Sequence, residues 1–469
     1  MVFSGLFFLC VFLPVTLGLY YAVKNRTYRN WILVIASLFF YAWGEPVWVS
    51  LLVISTLFNF LFALVIEKNR GRWKSKAVLV SAVAVNLLIL GYFKYSGFIA
   101  DNLNNLLGTN IEIYRFGLPV GISFYTFKTI SYVADVYRGE VRAQRSFFKS
   151  LLYVSMFHHL VAGPIVRYRD ISDAIDNRVE TSEDFNYGVS RFITGLGKKI
   201  LLANTAGNVA SMVMGNDYSR LPVTGAWLGI LLYSLQIYLD FSGYSDMAIG
   251  LGSMFGFHYR ENFNYPYISK SVTEFWRRWH ISLSSFFRDY VYIPLGGNRK
   301  HQIINLFIVW SLTGLWHGAS WNFVFWGMYY FILLVIEKTF LLRILEKMPA
   351  FFSRIYSLVA VITGWVFFCH TDISQALTYI GIMFGVISRP LNSPEVSIHF
   401  LNNVVLIIVS VLACTPVAPW IYGKITGRDR ERKGIPDFLL RPAINIFILV
   451  LSIIFLVGQS YSPFLYFKF

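Results

Sequence analysis

The chain has 469 residues, 56% hydrophobic and 18% aromatic, with only 14% charged. A soluble chain carries roughly a quarter charged residues, so this composition excludes an ordinary globular domain. The net charge of +16 invites a nucleic-acid role, but the placement of the basic residues along the chain argues against one.

Apolar runs of about 17 to 22 residues, enough to cross a bilayer as helix, recur throughout. Spans are expected near 1–22, 30–43, 47–66, 77–93, 117–137, 193–212, 224–256, 302–318, 321–337, 355–371, 400–422 and 442–459. The expected fold is all-α: a polytopic helical membrane protein with about 11–12 transmembrane helices. It is read as one membrane domain, with N-terminal helices in 1–137, a catalytic core in 138–337 and C-terminal helices in 338–469. Residues 1–22 lack a basic n-region and a small-residue cleavage site, which marks a retained first span.

Basic residues gather between alternate spans. Lys24, Arg26 and Arg29 form one group, and Lys68, Arg70, Arg72, Lys74 and Lys76 the next. Arg138, Arg142, Arg145 and Lys149 follow, then Lys424, Arg428, Arg430, Arg432 and Lys433. Short loops rich in Lys and Arg stay in the cytoplasm. With the N-terminus outside, all but six of the 41 Lys and Arg residues fall on the cytoplasmic side. The six are Lys94, Arg115, Lys128, Arg220, Arg389 and Lys468. Topology thus accounts for the basic excess, and the expected contacts are membrane lipids with no nucleic acid.

Two apolar segments break the alternation. Residues 150–166 are flanked by basic sequence on both sides, and a crossing at 374–388 would put the Lys424–Lys433 cluster outside. Both are expected to be re-entrant or interfacial, because irregular backbone at membrane depth survives only inside protein or beside a water-filled cavity. The first contains His158 and His159 ahead of Gly163-Pro164, a helix-breaking pair, and implies a central funnel or tunnel. The outer loops are short. The longest, about 94–116, reads as amphipathic, and none could form a sugar-binding or hydrolase domain.

Three constellations could carry chemistry. The first is Tyr238 to Met247, with Asp240, Asp246 and the serines 242 and 245 inside a long apolar stretch. Asp240 and these serines could fix a histidine tautomer, or the acids could pair with an arginine and hold the bundle together. The second is Thr273 to Ser284, continuing to Tyr290. On one helix Trp276 and His280 would share a face, as would Arg277 and Arg288 about three turns on. The spacing admits two readings. One is an acyl-CoA or nucleotide site, with Arg277, Arg278 and Arg288 on phosphates and Trp279 stacking. The other is an interfacial helix with headgroup-binding arginines.

The third is Leu312-Thr313-Gly314-Leu315-Trp316-His317-Gly318-Ala319-Ser320-Trp321-Asn322. An ionisable side chain in membrane-grade sequence is a functional-site hypothesis by default, and histidine titrates where proton transfer is useful. Trp316 and Asn322 are its expected supports. His258, His301, His370 and His399 sit singly near span ends and are expected at the interface. Cys10, Cys369 and Cys414 have no paired spacing. No metal-ligand spacing and no phosphate-loop motif occur, so neither a metal nor ATP-driven work is expected.

Together these stretches resemble the membrane-bound O-acyltransferase (MBOAT) superfamily, in its bacterial alginate O-acetyltransferase branch. The likeness rests on Leu118–Phe127 with Asp135–Gly139, on Leu160–Arg167, on Phe275–Tyr290 with Ile293–Gly297, and on Leu315–Ala319. The terminal Pro463–Phe469 is also similar to that branch. The resemblance implies that His317 is the catalytic histidine of the Trp-His-Gly motif and His280 the second family histidine. It implies acetyl-CoA as the donor substrate and no permanently bound cofactor. It also implies a bacterial inner-membrane location, an extracytoplasmic SGNH-type acetyltransferase partner and a polysaccharide synthesis machinery. Relatives modify alginate, cellulose or peptidoglycan, and more distant ones move D-alanine onto teichoic acid. A rival from another class is a proton-coupled transporter or flippase. Inverted repeats would favour it, and none is evident between the halves.

Overall fold

The computed structural model describes residues 1–113, 117–215, 217–426 and 436–458. Arg115, the Arg428–Lys433 cluster, Lys468 and the Pro463–Phe469 stretch lie outside them. The described residues form helices and no strands. In chain order these are α1 Leu13–Ala22, α2 Arg26–Ala42, α3 Trp48–Lys68, α4 Trp73–Leu107, α5 Ile122–Arg138, α6 Phe147–Ser155, α7 Phe157–Leu160, α8 Tyr168–Ile171, α9 Ala174–Asn177, α10 Ser182–Gly197, α11 Asn204–Met214 and α12 Val223–Met254. Then come α13 Val272–Arg278, α14 Ile281–Phe287, α15 Gln302–His317, α16 Trp321–Ile336, α17 Leu342–Lys347, α18 Ala350–Cys369, α19 Ile373–Met383, α20 Pro394–Asn402, α21 Val404–Ala413, α22 Val417–Thr426 and α23 Asp437–Gly458.

Four of these, α3, α4, α18 and α23, are long and apolar enough to cross a membrane, and α20 with α21, bent by 57°, would make a fifth. The other expected spans coincide with shorter helices, except 224–256, which is the 32-residue α12. Two departures stand out. α4 runs on to Leu107, so most of the expected amphipathic loop is a continuation of a helix. The expected 400–422 span is broken into α20, α21 and α22. The segment expected to be interfacial at 374–388 is α19, eleven residues long and too short to cross.

The chain divides into two compact units. One comprises Met1–Arg191, Met247–Arg260 and Ser285–Val291, and the other Phe192–Asp246, Glu261–Ser284 and Tyr292–Phe469. In the first, α5 is the central helix, with every residue from Ile122 to Val133 buried. Amides tie it to its neighbours. Asn59 and Asn86 exchange hydrogen bonds of 3.0 and 2.8 Å, and Thr129 Oγ1 donates to Asn86 Oδ1 at 3.1 Å. Such polar pairs hold apolar helices together where no hydrophobic drive exists between them.

The 150–166 segment breaks ahead of its Gly-Pro pair. α6 ends at Ser155, His159 leaves helical geometry (φ −138°, ψ 16°), and the backbone stays irregular to Arg167. The stretch is buried in protein, as irregular backbone must be. Gly121 opens α5 at φ +79°, where a Cβ would sit 2.9 Å from the Leu160 carbonyl oxygen. Only glycine fits that approach. Lys128, counted above with the outer basic residues, is wholly buried on α5. Its Nζ lies 2.5 Å from His159 Nδ1 and 3.4 Å from the Val154 carbonyl. It is therefore not a loop charge and carries no topological information. His158 Nδ1 meets the Tyr259 hydroxyl at 2.9 Å.

The basic group after α1 also has partners. Arg26 and Arg29 reach Glu180 at 2.5 and 2.7 Å, and the Tyr20 hydroxyl donates to the same carboxylate. Burial alone would raise this carboxyl. The two guanidiniums and the Tyr20 hydroxyl outweigh it and hold Glu180 down at about 2.

Candidate active site

The second unit contains both expected catalytic histidines. α15 ends at His317, whose ring is buried at 3% exposure. Trp316, Trp326 and Phe368 surround it, with centroids at 4.9, 4.9 and 5.2 Å, and Phe323 lies at 6.5 Å. Two of these, Phe323 and Trp326, come from α16, and the α15–α16 crossing explains how they reach. Gly314 and Gly327 face each other so closely that a Cβ on Gly314 would lie 2.5 Å from the Phe323 carbonyl oxygen. One on Gly327 would lie 2.5 Å from that of Trp310. Small residues permit such contacts between membrane helices. Gly318 lies against the Phe323 ring in the same way.

Asn322 does not approach His317 by any hydrogen bond. Its Nδ2 donates to the carbonyls of Phe367 and His370 at 3.2 and 2.9 Å, closing the last turn of α18. The end of α18 carries Phe368, so Asn322 supports the histidine's aromatic surround indirectly.

His280 sits where the sequence reading needs correction. Trp276 and His280 do not share a helical face, because α13 stops at Arg278 and Trp279 is extended. His280 then takes a left-handed conformation, φ +45°, before α14 begins. Arg277 and Arg288 are likewise not on one helix. The break has a tertiary cause: Ile281 N donates to the Asn262 carbonyl at 2.9 Å, and Asn264 N to the Arg278 carbonyl at 2.9 Å. The Glu261–Asn264 stretch therefore pulls the chain out of its helix. A side chain in the left-handed region is strained, and such strain gathers at functional sites. The His280 ring packs edge-on against Phe241 at 4.7 Å and lies 5.9 Å from Trp316. One indole thus separates His280 from His317.

α13 is held at its other end too. Ser271 Oγ accepts from Glu274 N at 3.0 Å. Glu337, fully buried at the end of α16, accepts from Val272 N at 2.7 Å, Thr273 N at 2.8 Å and Thr273 Oγ1 at 2.6 Å. A carboxylate on the first two amides of a helix also suits its dipole. Nothing in local sequence distinguished Glu337, because its partners lie 64 and 65 residues away. Glu337→Gln keeps the volume but turns an N–H towards donors that need an oxygen. It should lower stability by about 2–3 kcal/mol, read as a shift in thermal unfolding of the detergent-solubilised chain. An unchanged midpoint would remove Glu337 as the anchor of α13.

The expected nucleotide-binding set divides. Trp279 is 1% exposed, packed against Phe275, Phe263 and Trp365 at 5.4, 5.1 and 4.8 Å. Trp276 is buried among Trp310, Tyr330 and Trp326 at 4.9, 4.9 and 5.5 Å. These tryptophans build the core and offer no face to a nucleotide base. Arg278 pairs with Glu274 at 2.8 Å. Arg288, in the first unit, pairs with Asp289 at 2.7 Å, and Asp289 also holds Arg167 at 2.7 Å. Arg277 is exposed, close enough to Lys338 for the two like charges to repel.

The acids of α12 pair with lysines of a π-helical turn, Lys198–Ala203: Asp240 with Lys199 at 2.6 Å and Asp246 with Lys198 at 2.7 Å. Among the other histidines, His258 and His301 are exposed. His370 is not an interface residue; it is buried, with Nδ1 on the Val366 carbonyl and Nε2 on the Tyr218 hydroxyl, both at 2.8 Å. Among the described residues no cluster of His, Cys, Asp and Glu could hold a metal ion.

The sequence profile of the membrane-bound O-acyltransferase family matches residues 3–381. The probable alginate O-acetylase AlgI of Pseudomonas putida is 40% identical, with both chains covered in full. That of Azotobacter vinelandii is 38% identical, again over both full chains. The peptidoglycan O-acetyltransferase of Helicobacter pylori is 31% identical over all of this chain and 98% of its own. A buried histidine at the end of an apolar helix, a second one beside it, and these matches over the full length have one conclusion: the chain belongs to the membrane-bound O-acyltransferase family and is a membrane-embedded acyltransferase.

Proposed function

We propose that this chain carries acetyl groups from a cytoplasmic donor, acetyl-CoA, across the bacterial inner membrane for O-acetylation of an extracytoplasmic polysaccharide, alginate. The observation that supports this best is the pairing of His280 and His317 across Trp316 in a chain matched end to end by alginate O-acetylases. A peptidoglycan substrate is the second reading, favoured only by the more distant peptidoglycan relative.

Acyl transfer from a thioester needs a base for the incoming hydroxyl. His317 takes that proton. The hydroxyl oxygen attacks the acetyl carbonyl, the new C–O bond forms, the C–S bond breaks, and the proton passes to the departing thiolate. The aromatic surround keeps bulk water from hydrolysing the thioester. His280 lies beside Trp316, where it can contact the same thioester. Arg277, exposed at the end of α13, is the candidate for a donor phosphate. Arg278 and Arg288, held by acids, are weaker candidates. In this proposal the incoming hydroxyl belongs to an extracytoplasmic SGNH-type acetyltransferase, which then passes the acetyl group to a polymer hydroxyl as its own hydroxyl re-forms. The N-terminus faces outwards in this reading, which keeps the basic groups inside.

Ligand stabilisation separates the acyltransferase from a proton-coupled carrier. Acetyl-CoA at about 100 times its Kd should stabilise the solubilised chain by about 2.7 kcal/mol, seen as a raised midpoint. Arg277→Ala should shrink the shift. No shift with acetyl-CoA, CoA or a non-hydrolysable acyl-CoA would end the acetyl-CoA assignment.

A further inference from the structure

We infer that Asn262 is a positioning residue that fixes the tautomer of His280 and so decides which ring nitrogen can act as a base. This rests on the reading above that His280 belongs to the transfer site. Asn262 is fully buried. Its side-chain oxygen accepts from Ser282 N at 3.2 Å and from Ser282 Oγ at 2.8 Å. A backbone N–H can only donate, so the atom facing it is the amide oxygen and the amide orientation is settled. The same oxygen lies 3.1 Å from His280 Nδ1. The Ser282 hydroxyl is 3.5 Å from Nδ1 but gives its proton to the same amide oxygen at 2.8 Å, and an amide oxygen only accepts, so this contact is a hydrogen bond when Nδ1 carries the proton. In the neutral ring Nε2 then holds the lone pair.

The rest of Asn262 is fixed as well. Its Nδ2 donates to Ser245 Oγ at 3.2 Å, and its carbonyl accepts from Ile281 N at 2.9 Å. Ser245 lies in the Tyr238–Met247 stretch, which thereby supports His280 through Asn262. One residue therefore sets both the backbone break at His280 and the tautomer of its buried imidazole. Orienting partners of this kind change a histidine's activity without touching substrate.

The test uses the full chain in detergent, labelled with 15N-histidine, with His280→Asn identifying the His280 signals. The expected spectrum shows Nδ1 protonated and Nε2 as the unprotonated nitrogen. Asn262→Ala should lose that preference and lower kcat for acetyl transfer about 10- to 100-fold, with KM for acetyl-CoA unchanged. Asn262→Asp, which still accepts from Nδ1, should retain most of the rate. Protonation at Nε2 in the unaltered protein overturns the inference, and that measurement needs no Asn262 variant to fold. A wild-type rate in Asn262→Ala beside an inactive His280→Ala overturns the role of Asn262 alone. A wild-type rate in His280→Ala overturns the transfer-site reading of His280 itself.

Discussion

Replacing His317 with alanine should reduce polysaccharide acetylation by at least about 100- to 10,000-fold, the range that a general base contributes. The assay is polymer-bound acetate in cells that make the polysaccharide, with the variant's membrane level measured alongside. Alanine also removes a buried ring held among four aromatic side chains. The resulting cavity should lower stability by about 3 kcal/mol, and loss of fold could then imitate loss of chemistry. His317→Gln fills most of the space without a base of useful pKa and should be equally inactive. It should also keep acetyl-CoA stabilisation close to that of the unaltered chain, because the donor's phosphates bind elsewhere in this proposal. Normal acetylation by either variant, at a normal membrane level, would sink the assignment of His317.

Much of this site was legible before any coordinate. His317 could be picked out because an ionisable group in an apolar run is rare for an energetic reason, and that reason acts on sequence alone. The apolar helices α2, α3, α5, α12, α15, α16 and α18 could be placed for the same reason: length and apolarity are local. What failed was whatever depends on distant partners. The face shared by Trp276 and His280 assumed a continuous helix, and nothing within Thr273–Ser284 breaks one. The break comes from the Asn262 carbonyl and the Asn264 amide. Glu337 carries no local signal in the sequence, yet its carboxylate holds two amides of α13. Trp279 looked available for stacking because tryptophan often lies at interfaces, whereas Phe275, Phe263 and Trp365 enclose it. Lys128 reads as an outer charge on a hydropathy plot, and only the fold brings His159 to it.

The second large effect is expected from a single methyl group far from any proton transfer. Gly314 lies one turn before His317 on α15, and its Cα is 3.4 Å from the position a Cβ on Gly327 would take. Gly314→Ala puts a carbon 2.5 Å from the Phe323 carbonyl oxygen, a backbone atom that no rotamer change can move. α15 and α16 must separate by roughly 1 Å to reach ordinary contact. That shift moves His317 on one helix away from Phe323 and Trp326 on the other. Overpacking should lower stability by about 1–3 kcal/mol. Activity should fall much further, about 100-fold, because misplacing a reacting group by 1 Å has that effect. Gly91→Ala is the matched control: α4 has nothing within 4 Å of the added carbon, so alanine's better helix propensity should leave activity intact and stability equal or slightly higher. If Gly314→Ala acetylates at the rate of Gly91→Ala, the α15–α16 contact does not set the position of His317.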